Sequence, residues 1–83
     1  MEIVLEERFI NELLLCPKAF QQDFRKIYQQ LKIVDDPLEI KEIRKFKTGR
    51  YKIYLRKSRV ALKVKAKQCY IGMFLYNEFY TQE

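Results

Sequence analysis

The sequence predicts an α+β domain of two layers, a helical hairpin packed on a small antiparallel sheet. Three observations predict it. Apolar residues recur at helical spacing between Phe9 and Leu31. Apolar and charged residues alternate at strand spacing between Tyr51 and Leu75. Pro- and Gly-containing turn signals separate the two regions. With 83 residues, 48% of them hydrophobic and 14% aromatic, residues 1–83 are expected to form one small domain around one core.

Met1 to Leu5 reads as a short first strand, with Ile3 and Val4 as its β-branched members. From Glu6 the period changes. Phe9, Ile10, Leu13 and Leu14 fall on one helical face and Glu6, Glu7 and Glu12 on the other. Acidic residues in a first turn also suit the positive end of the helix dipole. Cys16-Pro17 ends this helix, because proline cannot continue a helix interior. Proline is well placed in a first turn, so a second helix is expected to begin there. Phe20, Phe24, Ile27 and Leu31 form its apolar stripe. Asp35-Asp36-Pro37 closes the hairpin with turn chemistry. The mixed spacing of Leu38, Ile40, Ile43 and Phe46 predicts a loop with one helical turn. After the turn Thr48-Gly49-Arg50 come three strands, at about 51–56, 59–65 and 69–75. Their links are short enough for hairpins, so the strands form an antiparallel meander. One apolar face must then pack on the helix pair, leaving the other open.

That open face is cationic. Arg44 to Lys67 holds eleven Lys/Arg, and no Asp or Glu occurs from Ile43 to Asn77. Net charge is +6, but residues 1–42 carry six Lys/Arg against nine Asp/Glu and residues 43–83 eleven against two. Alternation gathers the cations of a strand on one side. A cationic face interspersed with tyrosines suits a polyanion bearing aromatic bases, hence RNA or DNA.

Several chemistries are excluded. The chain has no histidine, so the usual neutral-pH acid/base is missing and a Ser-His triad around Ser58 cannot form. The acid-free stretch offers no carboxylate pair for a two-metal site. Gly49 and Gly72 are the only glycines, so there is no Gly-rich phosphate loop. Cys16 and Cys69 form no C-x-x-C and lack further soft ligands, so no zinc site is expected. Both thiols read as small core residues in a reducing cytosol. No secretory signal pattern and no apolar run of membrane-spanning length is visible, which gives a cytoplasmic expectation. No metal or cofactor is expected. What remains is Lys, Arg and Tyr. That set suits metal-free RNA cleavage: arginine binds the charge of the phosphorane, and a lysine crowded by cations loses its proton more easily. Such an exposed Lys/Arg/Tyr face is more often a binding surface than a catalytic one.

The pattern Phe9-x-x-x-Leu13, Pro17-x-x-Phe20-x-x-x-Phe24, Gly49-Arg50-Tyr51-Lys52-Ile53-Tyr54-Leu55-Arg56, Arg59 and a closing strand ending at Tyr80 resembles the RelE/ParE toxin superfamily. The RelE branch, toxins of bacterial and archaeal toxin–antitoxin systems, is the nearer match. The resemblance covers essentially the whole chain. It implies a helical hairpin on a twisted antiparallel sheet, and a ribosome-dependent endoribonuclease that cuts messenger RNA in the A site. It implies Lys52 as base or charge stabiliser, Arg59 as transition-state stabiliser and Tyr80 as the residue stacking on the substrate base. Arg44, Lys45, Lys47, Arg50, Tyr54, Arg56, Lys57, Lys63 and Tyr76 are the expected RNA-binding residues, with Lys52, Tyr54 and Arg56 on one strand face. The implied partners are a cognate antitoxin, the ribosome and messenger RNA.

Two departures from the family pattern stand out. Tyr54 occupies the second basic position of a Lys-x-Lys pattern, and Tyr76 falls where RelE-type enzymes carry an arginine. Loss of one such charge stabiliser costs about 10²–10³ in rate. The alternative reading is therefore a weak or inactive member of the same fold. It would bind ribosomal RNA, or poison a protein as ParE-type members do DNA gyrase. A third reading is a basic adaptor for an acidic protein.

Overall fold

In the computed structural model, which describes residues 1–80, the chain runs β1 (Glu2–Leu5), α1 (Glu7–Leu14), α2 (Lys18–Ile33), a 3₁₀ turn (Pro37–Glu39), β2 (Ile43–Lys47), β3 (Arg50–Leu55), β4 (Ser58–Lys65) and β5 (Gln68–Tyr76). The strands form one sheet in the order β1-β5-β4-β3-β2. Both helices contribute to a core on one face of this sheet, so the two-layer α+β expectation holds.

Two parts of the expectation are corrected. Residues 43–47, read as loop, form the edge strand β2, antiparallel to β3. Only Ile43 of β2 is buried. An edge strand with four exposed residues writes no alternation of burial into its sequence, which is why the pattern was hidden. The sheet is also mixed rather than antiparallel, because β1 pairs in parallel with β5. Pairing the first strand with the last is a non-local choice with no short-range signal.

The α2 stripe is buried as its spacing predicts, and the α1 stripe is buried at Phe9, with Ile10 and Leu13 half-buried. Phe9 of α1 is fully buried, and Phe20, Phe24, Ile27 and Leu31 of α2 are all buried. Leu14, expected on the apolar face, is exposed at the end of α1. Pro17 stands at the N-cap of α2, where its carbonyl accepts from the Phe20 and Gln21 amides at 3.0 and 3.1 Å. The Gln21 side chain donates back to the Cys16 carbonyl at 2.9 Å, closing the helix junction. Asp36 and Glu39 form a reciprocal capping box at the 3₁₀ turn.

The core is aromatic at its centre. The Phe9 ring lies 5.0 Å from Phe24 and 5.2 Å from Phe74, and Phe20 meets Phe79 edge-on at 5.3 Å. The sheet contributes Ile53, Leu55, Val60, Leu62, Cys69 and Ile71. Cys16 and Cys69 are free and buried, as expected for core residues. Burial pushes both thiols above their ordinary pKa. Among the described residues no helix is long and apolar enough to cross a membrane.

Irregularities in the sheet decide which residues the open face shows. Leu62 pairs with Ile71 but Ala61 with Met73, so Gly72 is an extra residue on β5. Val60 pairs with Phe74 but Arg59 with Tyr76, so Leu75 is a second. Strict alternation from buried Ile71 would turn Met73 inward. The bulge at Gly72 instead sets Met73 beside Ala61 on the open side. Gly49, with φ of +74°, makes the β2–β3 turn, and a Cβ there would meet the Val64 carbonyl at 3.3 Å. Its own carbonyl accepts from the Val64 amide at 2.8 Å.

Candidate nucleic-acid interface

Alternation on β3 and β4 buries Ile53, Leu55, Val60 and Leu62 and directs Lys52, Tyr54, Arg59 and Lys63 to the other side. The register arranges this side in cross-strand rows. Tyr54, Arg59 and Tyr76 form one row. Arg44, Lys52, Ala61 and Met73 form the next. Lys47, Arg50, Lys63 and Tyr70 form a third. These rows hold six cations and no acid. Like charges directly opposite one another destabilise a sheet, so this arrangement runs against stability and suits a surface that meets an anion.

Four of the six cations lie over aromatic rings. The Arg59 guanidinium lies 4.1 Å from the Tyr54 ring centroid and that of Arg44 lies 5.7 Å from it. Lys52 Nζ lies 4.6 Å from the Phe46 ring and Lys47 Nζ 5.4 Å from it. Each such contact contributes about 0.5–1 kcal/mol at an exposed site and limits where the long side chain points. Arg59 is held further by donating to the Ser58 and Arg56 carbonyls at 2.9 and 3.3 Å. Tyr54, in the second position of the Lys-x-Lys pattern, is thus the platform on which two arginines rest.

Beside these stacks a groove of about 840 Å³ opens in the face. Ala61, Gly72 and Met73 line it together with Phe46, Lys52 and Lys63. Glu6 and Arg8, from the start of α1, also reach it. Sequence reading missed Phe46, Glu6, Arg8 and Met73 for this face. Phe46 lay in a segment read as loop, Met73 was turned outward by a bulge, and Glu6 and Arg8 came from the distant acidic half.

Eight expected residues fall in these rows: Arg44, Lys47, Arg50, Lys52, Tyr54, Arg59, Lys63 and Tyr76. Four do not. Lys45 pairs with Tyr51, in a row that belongs to the helix side, and stays exposed at the sheet edge. Arg56 was expected beside Lys52 and Tyr54, but its φ of 54° breaks the alternation. Its guanidinium turns to Asp23 of α2 at 2.8 Å. Lys57 lies in the β3–β4 turn. Tyr80 donates its phenol to the Leu15 carbonyl at 3.2 Å, on the helix layer and away from Lys52.

Glu78 fastens the β3–β4 turn that carries Arg59. Its carboxylate accepts from the Lys57 amide and the Ser58 hydroxyl, both at 3.0 Å, and its amide donates to that hydroxyl at 3.1 Å. Ser58 is fully buried. Glu78→Ala leaves its hydroxyl without that acceptor and is expected to cost about 1–3 kcal/mol. Urea unfolding measures this, and an unchanged midpoint would show that the turn holds itself. Among the described residues no group of three or more His, Cys, Asp or Glu comes together as metal ligands would.

No family model matches the chain, and no curated protein does. The fold is similar to one in the crystal structure of the RelB–RelE antitoxin–toxin complex from Methanococcus jannaschii. The TM-score is 0.74 over 88% of each chain, at 17% sequence identity. The chain therefore has a RelE-like fold.

Proposed function

We propose that this RelE-like chain is the toxin of a toxin–antitoxin system, acting in the cytoplasm by binding the ribosome and its messenger RNA and so arresting translation. The observation that carries the reading is the open sheet face, with six cations in three rows, four of them within 6 Å of Tyr54 or Phe46 ring centres. Phosphates meet the charged groups, and unpaired bases stack on the exposed rings. The RelE-like fold supports a toxin, and the RelB–RelE neighbour supports an antitoxin partner. An antitoxin segment rich in acidic residues suits the same cationic face and would keep RNA from it.

Cleavage by this face takes a metal-free route. Lys52 is the group placed to take the proton of a 2′-OH, and that oxygen attacks the adjacent phosphorus. Arg44 and Arg59 hold the charge on the phosphorane oxygens, and the 5′-oxygen leaves with a proton taken from water, giving a 2′,3′-cyclic phosphate. Two observations favour binding without efficient cutting. Tyr76, not an arginine, stands opposite Arg59, and Tyr80 is engaged with Leu15.

The test adds purified protein to ribosomes translating a defined message, with and without EDTA, and maps new 5′ ends. Arrest that is lost in Lys52→Ala and Arg59→Ala supports the reading. Cuts in the A site add nuclease activity, and arrest with intact message leaves a binding toxin. Ribosomes that continue unaffected, or inhibition of gyrase instead, remove the proposal.

A further inference from the structure

Among the described residues Glu6 is the one acid that lines the cationic groove. It occupies the N-cap position of α1, yet its side chain makes no capping hydrogen bond. The only ion pair among the described residues is Arg56–Asp23, so neither Arg8 nor a groove lysine lies within ion-pair distance of the exposed Glu6 carboxylate. Its side chain instead lies beside Gly72, where a Cβ would stand 3.8 Å from Glu6 Cγ. A carboxylate near a helix N-terminus has a favourable dipole interaction. That accounts for an acid at the start of α1, but the groove opening beside it needs a separate reason.

Gly72 supplies one. Its φ is not positive, since Gly49 alone among the glycines has that conformation. The bulge accounts for its lack of a pairing partner but does not require glycine. Ordinary van der Waals room for a Cβ exists there, and glycine within a strand is otherwise a loss of stability. What glycine provides, with Ala61 on the neighbouring strand, is open space in the groove that Glu6 also lines. Phe46 and Met73 add a ring and a polarisable thioether at the same groove.

An exposed carboxylate without an ion-pair partner shares this groove with small residues, an exposed ring and several cations, a set that suits an unstacked base. We propose that this groove seats a single unstacked RNA base and that Glu6 selects bases carrying an amino group over uracil, a proposal that rests on the RNA-binding reading above. The amino groups of adenine and cytosine donate to a carboxylate, and single-stranded bases present these edges freely. Uracil offers one ring N–H between two carbonyl oxygens, which a carboxylate repels. Lys52 and Lys63 take the flanking phosphates. Glu6 is a specificity-determining residue, and it lowers rather than raises total anion affinity.

Fluorescence anisotropy with labelled eight-nucleotide oligo(A), oligo(C) and oligo(U) across a salt series tests this. The wild type is expected to bind oligo(A) and oligo(C) about tenfold more tightly than oligo(U). In Glu6→Ala the ratio falls to about one while oligo(U) binding strengthens, because the cationic groove loses a negative charge. Gly72→Val, which fills that space and leaves the carboxylate, is expected to abolish the same preference. Circular dichroism of both variants establishes that they fold. Equal, salt-dependent binding of all three oligomers by the wild type, or a ratio that survives Glu6→Ala, overturns the Glu6 proposal and leaves RNA binding intact. No binding to any oligomer, or binding insensitive to salt, overturns both.

Discussion

Alanine at both Lys52 and Arg59 is expected to lower affinity for single-stranded RNA by about a hundredfold or more at low salt, because each hydrogen bond to a charged group contributes about 1.5–3 kcal/mol. The two residues lie in adjacent rows of the open face, and each is positioned by a ring, Lys52 by Phe46 and Arg59 by Tyr54. Their combined loss removes two phosphate contacts. The slope of log affinity against log salt should therefore flatten by about 1.4 for a single strand. Arg59→Lys gives an intermediate result, since it keeps the charge but loses the planar guanidinium that stacks and bonds at once. The fold should survive, because neither side chain lies in the core cluster. Binding isotherms at four or five salt concentrations, with urea unfolding as the control, are sufficient. An unchanged slope would falsify the assignment of both residues to phosphate contacts.

The largest loss of stability is expected from Phe9→Ala. Phe9 is fully buried and its ring touches those of Phe24 and Phe74, so it joins α1, α2 and β5. Truncating a buried phenylalanine costs about 3–5 kcal/mol, and domains of this size have about 4–12 kcal/mol in total. The melting temperature should fall by at least about 12 °C, at roughly 4–8 °C per kcal/mol. Phe46→Ala is the contrast. Phe46 is 58% exposed, so its loss should leave stability nearly unchanged while weakening RNA binding through Lys52 and Lys47. Thermal melts of the two variants side by side test the division of aromatic residues between core and surface. Equal losses would contradict it.

Much of the architecture was legible in the chain. Phe20, Phe24, Ile27 and Leu31 repeat at the helical period, and all four are buried. Lys52 and Tyr54 alternate with Ile53 and Leu55, and they separate to opposite sides of the sheet. These patterns are local, because an amphipathic element carries its own burial code. β2 escaped notice because most of it faces solvent, and β1 gave no sign of its partner because β5 lies more than sixty residues away. The interface was half legible for the same reason. Its cations come from one continuous stretch, whereas Glu6 and Arg8 enter only where α1 begins against β5.

By itself the sequence determined the two-layer class, the aromatic core and the segregation of charge, all of which follow from periodicity and composition. Tertiary structure decided which of those charges share a site. A single residue with φ of 54° turned Arg56 to Asp23, and a phenol reaching Leu15 took Tyr80 to the helix layer. One extra residue at Gly72 brought Met73 to the open face. Side-chain direction in a sheet reverses with every residue, so one irregularity is enough to move a group from one face to the other.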